Sequence, residues 1–600
     1  MLNKKKRIII SIVVIVVILI VVICLYIASI NKNVEINNQS SNIIVEYEED
    51  EISGDWDDTY TSNIKLSDAG TTVDGGGVIV SNNTITIKSA GTYYITGSIS
   101  DGNIIVNANN AEVQLVLSNV SITSKTTAPI NVVKAGKVTI TLEEDTTTYI
   151  KDSSSYTVLT SIEDEEPNAA IFSKSDLVIN GKGTLNVESN YLDGIASKDT
   201  LKIINANIIV TAKDDGIRGK DYVAINGATI QINSESDGIK STNTTDASLG
   251  YIIIEDSNIK ITSGNDGIQA ETVLNIQTST IDIKTEGEIQ THSDSNGFGM
   301  MGGNTTSSST DTESSKGIKA GTEITIKSGD ITIDSTDDSI HSNGSIIING
   351  GNMNLSSGDD GIHADTNISI TGGTINITKS YEGIESAYIE ISGGKISVVA
   401  SDDGINVAGG NDSSSTDGRT GQNNFSDVGS SNRKLVISGG EINVSANGDG
   451  LDSNGSIYMS GGTVIVAGPT SGGNGILDFD NTFEITEGTL IAYGGSGMLQ
   501  TPSTSSTQYT IVASETGSSG DRISLKDSSG NEIVNTETVK SYSVVMISSP
   551  NLKQGSSYTI YKNGNQSTAI TVNSIVTTTT GITTNNTGMP GGQQNNNKRK

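Results

Sequence analysis

Hydrophobic and polar residues alternate along most of the chain, in short stretches that glycine pairs separate. Two such stretches are SIIIN (345–349) and NMNLS (352–356), which Gly350 and Gly351 join. Alternation with a period of two is typical of β-strands that bury one face, and glycine pairs allow the positive φ angles of sharp corners. The repeat region lacks helical spacing, so the pattern predicts an all-β protein.

A motif of an acidic residue, glycine and isoleucine recurs along the chain and sets its period. Its acids stand 22 residues apart at 193, 215 and 237, and again at 338, 360 and 382. Two longer intervals, 266 to 316 and 403 to 449, contain insertions rich in Gly, Ser, Thr and Asn. Short strands at a constant period favour a right-handed parallel β-helix of about 22 residues per coil, with coils stacked about 4.8 Å apart. A propeller needs a longer repeat, and a calcium-binding nonapeptide repeat a shorter one.

The two ends of the chain differ from the repeat. Four basic residues, Lys4 to Arg7, precede an apolar run at 8–30, which is long enough to cross a bilayer. We expect an uncleaved signal anchor, hence a single-pass cell-membrane protein with a cytoplasmic N-terminus and an extracellular body. A cleaved signal peptide and a secreted body remain the alternative. The predicted segments are a basic start (1–7), the transmembrane anchor (8–30), an acidic linker (31–60), the β-helix (61–500), a small C-terminal β module (501–576) and a disordered tail (577–600).

Composition and charge narrow the range of possible functions. The chain has 67 Gly, six Pro and 34% hydrophobic residues, which favours a thin continuous core over a thick one. There are 69 acidic residues against 37 Lys and Arg, and the formal net charge is −32. A strongly anionic body argues against a nucleic-acid partner and favours cations. The chain has a single cysteine and so forms no disulfide within itself.

Stacked coils place the motif acids in a column. Carboxylates about 5 Å apart, at an effective dielectric constant near 20, repel each other by about 3 kcal/mol per pair. Oxygen ligands of this kind favour Ca²⁺ over transition metals, so we predict one or more calcium ions between adjacent coils. The alternative is that each Asp caps a local turn, with the motif glycine in a left-handed conformation. The candidate ligands are Asp214, Asp215, Asp237, Asp266, Asp337, Asp338, Asp359, Asp360, Glu382, Asp402, Asp403 and Asp449.

A second column stands two residues after each motif glycine. The isoleucine between is expected to enter the core, so this column is expected to point outward beside the acids. Cations and amides on such a face suit a carboxylated sugar, although solvated surface residues without a ligand remain the alternative. The candidate substrate-binding residues are Arg218, Lys240, Gln269, Lys319, His341, His363, Glu385 and Asn406.

Several stretches together resemble a known family. The segments TYYITGSISDG and VQLVLSNVSIT, the DGI repeats and the ISGG turns are similar to the secreted clostridial-type carbohydrate-binding β-helix proteins, over roughly residues 60 to 500. These proteins resemble calcium-dependent pectate lyases in fold. The resemblance implies bound calcium and binding of plant cell-wall polysaccharide, including acidic galacturonan (pectin) and cellulose, without established lyase activity. The acid-poor coil at Lys316, Gly317 and Ile318 departs from the regular pattern.

Three functions remain open at this point. The favoured one is a calcium-bearing carbohydrate-binding protein without catalysis. The second is a polysaccharide lyase, in which calcium would acidify a uronate proton and Lys240, Lys319 or Arg218 would remove it. The third is an adhesin or structural stalk, because the single tryptophan, Trp56, lies outside the repeats and leaves few platforms for sugar stacking.

Overall fold

The computed structural model describes residues 43–56, 59–161, 166–287, 314–408, 433–470 and 473–584. All described residues from Ile44 onward belong to one compact unit. These residues are all-β apart from a five-residue helix, Glu49–Ser53. Its strands form long parallel sheets that wind into a parallel β-helix, which confirms the predicted fold class at this level.

Each regular coil contributes one strand to each of three faces. The motif face carries the acid-Gly-Ile motif. Its strands are Val78–Ser81, Thr84–Ile87, Asn103–Asn107, Ile130–Lys134, Ala169–Ser173, Asp193–Ser197, Ile217–Gly219, Ile239–Ser241, Ile268–Ala270, Ile318–Ala320, Ile340–Ser342, Ile362–Ala364, Ile384–Ser386, Ile405–Val407, Leu451–Ser453 and Leu477–Phe479.

The second and third faces follow in each coil. The second face consists of Lys137–Leu142, Asp176–Asn180, Thr200–Ile204, Tyr222–Asn226, Tyr251–Glu255, Val273–Gln277, Glu323–Ile326, Ser345–Ile348, Asn367–Ile370, Tyr388–Ile391 and Lys434–Ile437. The third consists of Thr147–Lys151, Thr184–Glu188, Asn207–Ala212, Thr229–Ser234, Asn258–Ser263, Ser279–Thr285, Gly329–Asp334, Asn352–Ser356, Thr374–Lys379, Lys395–Ala400 and Glu441–Ala446. Four long strands continue from the second face into the third: Gly91–Ile99, Glu112–Thr123, Ser456–Ala467 and Phe483–Gly494.

The register shows that the predicted period is correct and that both insertions leave it intact. Ile195 pairs with Ile217, and Ile217 with Ile239, at the 22-residue offset. Across the long intervals, Ile268 still pairs with Ile318 and Ile405 with Leu451. Each of these side chains is fully buried in one continuous apolar core. Identical branched side chains therefore stack along the helix axis and form a thin core, as the composition predicts.

The glycine pairs form the corners between the second and third faces. Gly351 and Gly373 both have a φ of 93°, in the region that glycine adopts without strain. Earlier corners use Asn205 and Asp256, at φ values of 52° and 48°, and asparagine and aspartate are the side chains that best tolerate this conformation. The corner prediction is confirmed.

The motif glycine has a different role from the expected left-handed turn. Gly361 does not have a positive φ, and a Cβ built on it would lie 2.6 Å from the carbonyl oxygen of Gly383 and 2.7 Å from Ile377 Cδ1. The neighbouring coil and the core side chain leave no room for a methyl group. Close approach of the backbones, and not the turn conformation, therefore requires glycine at this position.

The stretch predicted as an acidic linker packs on the β-helix. We call residues 44–56, which include the helix Glu49–Ser53, the strap. Its carbonyl oxygens and carboxylates accept hydrogen bonds from side chains of four consecutive coils on the second face. These donors are Gln114, Lys137, Asn180 and Lys202. Polar side chains on an exposed sheet hold the strap, a contact that linker composition does not reveal.

The membrane prediction is not supported. Among the described residues no helix is long and apolar enough to cross a membrane, and the predicted anchor at 8–30 lies outside those residues. The helix Glu49–Ser53 is acidic and spans about 7.5 Å, against about 30 Å of bilayer hydrocarbon. The prediction of a single-pass protein in the cell membrane is contradicted over the residues that the structure describes.

The C-terminal region continues the β-helix with antiparallel strands. Tyr542–Ser548 pairs with both Phe483–Gly494 and Thr510–Gly517, and Val576–Thr578 pairs with Thr510–Gly517. A separate antiparallel sheet contains Arg522–Asp527, Glu532–Glu537, Ser557–Lys562 and Asn565–Thr571. At the opposite end, Ser62–Leu66 pairs with Gly91–Ile99 and Thr72–Gly75. Thr577 and Thr578, which fall in the predicted disordered tail, belong to a strand because their backbone pairs with Ile511 and Val512.

Replacement of the motif glycine should lower stability through coil spacing. We expect Gly361→Ala to reduce the free energy of unfolding by about 1–3 kcal/mol, the usual cost of an overpacked core. Gly76→Ala is the matched control, because Gly76 also lacks a positive φ and its Cβ would meet no atom within 4 Å. Equal thermal unfolding midpoints for the two variants would contradict the close-approach explanation.

Candidate functional site: the carboxylate ladder

The motif acids form a buried column in which each coil is bonded to the next. We call the carboxylates of Asp193, Asp215, Asp237, Asp266, Asp338, Asp360, Glu382, Asp403 and Asp449 the carboxylate ladder. Oδ1 of one aspartate accepts the backbone N–H of the equivalent residue in the following coil. The distances are 3.2 Å from Asp237 N to Asp215, 2.9 Å from Asp266 N to Asp237, and 2.9 Å from Asp360 N to Asp338. The expected local turn cap is therefore replaced by a cap between coils.

Buried bases neutralise the first part of the ladder. The guanidinium of Arg218 donates from both Nε and Nη2 to Oδ2 of Asp193, with Nε at 2.9 Å. The ammonium of Lys240 lies 2.5 Å from Asp237, and that of Lys319 lies 3.6 Å from Asp266. One carboxylate oxygen thus bonds the next coil, and the other faces a cation.

A fully buried lysine neutralises the middle of the ladder. Lys316 Nζ lies 2.9 Å from both Asp337 Oδ2 and Asp338 Oδ2, and its side chain is 0% exposed. His341 Nδ1 lies 2.7 Å from the same oxygen of Asp338. Burial alone would raise the pKa of Asp338, but Lys316 and His341 outweigh burial and hold it well below its ordinary value. Asp338 is therefore an ionised carboxylate in a balanced buried cluster.

The last part of the ladder contains acids without bases. We call Asp403, Asp449 and Asp452 the acid cluster; they each bring a carboxylate oxygen within 4.8 Å of one another. Among the described residues, no lysine, arginine or histidine forms an ion pair with these three. Burial and the neighbouring carboxylates raise the pKa of Asp403 to about 8, and burial raises that of Asp449 to about 6. Burial and then the other acids also raise the pKa of Asp452 well above its ordinary value.

Burial also acts on the ladder acids that lie beside Arg218 and Lys240. It raises the pKa of Asp193 and Asp237 to about 7, against the opposing effect of Arg218 and Lys240. The acid cluster differs because no such opposing base is present. The earlier coils carry a base beside their acids.

The second column is stacked but does not face solvent as predicted. The register pairs Arg218 with Lys240, His341 with His363, and Asn406 with Asp452. His341 and His363 are 0% and 1% exposed, because equivalent side chains of adjacent coils cover each other and the acids flank them. Both histidines and Asn406 are therefore covered from solvent beside the acids. Arg218, Lys240, Gln269, Lys319 and Glu385 are half-buried.

The predicted metal ligands fall into separate groups. Carboxylate oxygens converge in three places: Asp193 with Asp214 and Asp215, Asp337 with Asp338 and Asp359, and the acid cluster. Asp237 and Asp266 pair with lysines instead. Asp402 is half-buried beside Asp403, and Asp360 and Glu382 lie close to His363 and Asn406.

Sequence reasoning missed Lys316 and did not place Asp193 or Asp452 among the ligands. Lys316 stands where other coils have the motif acid, and its backbone N–H donates to Asp266 Oδ1 at 2.8 Å as an acid's would. Lys316 thus places a base at the position of the motif acid, one coil before the adjacent acids Asp337 and Asp338. This pattern indicates that a lysine of the chain itself neutralises buried carboxylates. It was visible in the sequence as the irregular coil.

Fold and ladder together define a parallel β-helix repeat protein with a polar column buried along one face. The family model of carbohydrate-binding domain-containing proteins matches residues 81–361 and 370–475, which is more than half of the chain. The chain belongs to this family. The family is named for carbohydrate binding.

Two known proteins are similar to parts of the chain. A carbohydrate-binding domain-containing protein of Acetivibrio thermocellus is 36% identical over 137 residues, which is 23% of this chain and 48% of the relative. The chain thus spans about half the length of that curated relative. A solved structure, the gadolinium derivative of the polysaccharide lyase-like protein from C. thermocellum, is 32% identical. It covers 38% of this chain and 95% of its own, with a TM-score of 0.36.

Loss of a ladder base should destabilise the fold far more than loss of a surface base. We expect Lys316→Met to cost about 3–5 kcal/mol, because it leaves two buried carboxylates uncompensated. Lys260→Met is the matched control: Lys260 also lies 2.9 Å from a carboxylate, Asp282, but that pair is more than half exposed and contributes about 0–1 kcal/mol. Chemical denaturation of both variants measures the difference, and a similar loss in each would show that Lys316 is not needed to balance the ladder.

Proposed function

We propose that the protein is a non-catalytic, calcium-dependent binder of an acidic plant cell-wall polysaccharide of the galacturonan (pectin) type. The observation that carries this proposal is the acid cluster, in which half-buried carboxylates converge without a base among the described residues. Carboxylates so placed must hold protons or a cation. Oxygen-only ligands favour calcium among the common ions.

The residues around the cluster fit a calcium ion. Asn406 lies directly before Asp452 in the second column, is 5% exposed, and its Oδ1 has no hydrogen-bond partner. Its Nδ2 donates a hydrogen bond to Glu382 at 2.7 Å. This bond fixes the orientation of the amide and leaves Oδ1 as an acceptor. A buried carbonyl oxygen without a donor suits a hard cation. Asp403, Asp449, Asp452 and Asn406 are therefore the residues that would hold calcium.

The cluster can also receive a ligand from outside. Its three aspartates are only half-buried, and Asp478 in the next coil continues the column toward the exposed Asp480. Calcium bound here would supply the positive charge that a uronate carboxylate requires. Asp452, Asp478 and Asp480 would otherwise repel such a ligand, so binding should depend on the ion.

The bases considered for lyase chemistry are engaged elsewhere. Arg218, Lys240 and Lys319 all pair with ladder carboxylates. Burial would lower the pKa of Lys240, but Asp237 and Asp215 outweigh burial and raise it. A general base for proton abstraction needs the opposite shift. This supports binding over catalysis.

Polysaccharide binding should fail when the acid cluster is neutralised. We expect the parent protein to be retarded in affinity electrophoresis through polygalacturonate with Ca²⁺ and not with EDTA. The double variant Asp449→Asn/Asp452→Asn should bind at least about tenfold more weakly, since two ligand charges are lost. Asp480→Asn is the control, because it removes a nearby exposed charge outside the cluster.

Four outcomes would contradict this proposal. Retardation that persists in EDTA would remove calcium from the mechanism. Accumulation of unsaturated uronide, measured by ultraviolet absorbance, would show lyase activity. Binding to neither polygalacturonate nor cellulose would favour a structural stalk, and binding to cellulose alone would replace the acidic ligand.

The stabilising effect of calcium should increase with pH. The pKa values of Asp403 and Asp449, about 8 and 6, exceed the ordinary 3.8, so the folded protein holds protons that the unfolded chain releases. That contribution is fully present below the ordinary pKa and is lost as pH rises through about 6 to 8, by up to about 1.4 kcal/mol per pH unit and proton.

Calcium should replace the lost protons. The increase in unfolding midpoint on adding Ca²⁺ to EDTA-treated protein should be small at pH 5 and large at pH 8. Asp403→Asn should reduce the increase at pH 8. An increase that is the same at both pH values would contradict the assignment of calcium to these aspartates.

A further inference from the structure

A second kind of cation site lies two coils before the acid cluster. Here the donor set contains nitrogen as well as oxygen. His363 Nδ1 lies 3.1 Å from Asp360 Oδ2 and 3.3 Å from Glu385 Oε2. The three side chains come from two adjacent coils, since His363 and Glu385 are register partners.

We propose that Asp360, His363 and Glu385, whose ligand atoms all lie within 4.8 Å of one another, bind a first-row transition-metal ion such as Zn²⁺ in place of the hydrogen bond between His363 Nδ1 and Asp360. This inference is independent of the proposed polysaccharide and calcium function. Calcium ligands are oxygens, whereas a set of one imidazole and two carboxylates is typical of zinc and its neighbours in the first row.

The distances match ligands around a small ion. Zinc–nitrogen and zinc–oxygen bonds of about 2.0–2.1 Å in a tetrahedron place neighbouring ligand atoms about 3.3 Å apart. The spacings of 3.1 and 3.3 Å around His363 Nδ1 are close to this value. In the preceding coil, His341 Nδ1 lies 2.7 Å from the oxygen of Asp338, which is the length of a strong hydrogen bond.

The other ring nitrogen of His363 fits the outer shell of a metal site. Nε2 lies 3.5 Å from Asp365 Oδ1. A carboxylate near the second ring nitrogen is typical of the outer shell of a metal-bound histidine, in which the other ring nitrogen coordinates the ion. Asp365 is therefore a positioning residue and not a ligand.

The local charge also favours a divalent ion over a proton. One imidazole meets Asp360, Glu385 and Asp365, and Glu382 lies close by. A doubly protonated His363 would carry a single positive charge among these carboxylates, whereas a zinc ion supplies two. In the preceding coil, by contrast, Lys316 supplies a positive charge 2.9 Å from both Asp337 and Asp338.

An ion can reach this site from solvent. The side chains of Glu385 and Asp365 are 13% and 16% exposed, while those of His363 and Asp360 are 1% and 6% exposed. The site is thus open on the side of the two more exposed carboxylates and closed behind the histidine.

Cobalt titration tests the proposal. Full-length protein is freed of metal with EDTA, returned to excess Ca²⁺ and titrated with Co²⁺, which reports its ligands by visible absorption. We expect saturation at one equivalent per chain, with bands that Zn²⁺ abolishes. His363→Gln and Glu385→Gln should weaken binding by more than the roughly 10–100-fold that loss of an outer-shell partner costs. Asp365→Asn should fall within that range.

The controls separate metal binding from folding. His292→Gln removes a histidine at a position outside the described residues and should bind as the parent does. If circular dichroism shows that the His363→Gln variant is unfolded, the Glu385→Gln variant decides the test, because Glu385 is partly exposed. Absence of Co²⁺ binding in excess Ca²⁺, or binding that Glu385→Gln leaves unchanged, would overturn the proposal.

Discussion

The hydrogen bond from one coil's backbone N–H to the carboxylate of the coil before it constrains the rest of the structure. It places a charged group in a buried position at nearly every turn of the β-helix. A buried carboxylate is stable only with a partner, so each coil must also provide a compensating group. Arg218, Lys240 and Lys316 meet this need by three different geometries. The charge and the ligand chemistry at each level of the column therefore depend on the partner that the coil supplies.

The partner changes in order along the axis. The second column passes from Arg218 and Lys240 through His341 and His363 to Glu385, Asn406 and Asp452. One scaffold thereby carries a section with bases, a section with imidazole and a section of acids that have no base among the described residues. Because equivalent positions are in direct contact, the residue at one position sets the chemistry of its own level of the column. This is how a structural ladder can become a binding site at one end.

Much of the fold was predictable because its physical signals are local. Alternation, the 22-residue interval and the Gly-Gly corners depend only on neighbouring residues, and the stacked isoleucines from Ile195 to Leu477 follow from them. The environment of the columns was not predictable in the same way. Spacing shows that His341 stands over His363, but not that both are covered, since burial depends on side chains from adjacent coils. The reason for Gly361 was missed likewise, because its close contact is with Gly383 in another coil.

The strap adds a feature that regular stacking lacks. In a repeat array each coil touches only its neighbours, so cooperativity decays along the axis and the ends fray. Glu51 is 2% exposed and bridges Lys137 and Lys202. These two lysines belong to coils that have one other coil between them. Detachment of the strap therefore removes contacts from several coils at once. The first coils should unfold as a single cooperative block, although the sequence that builds them is modular.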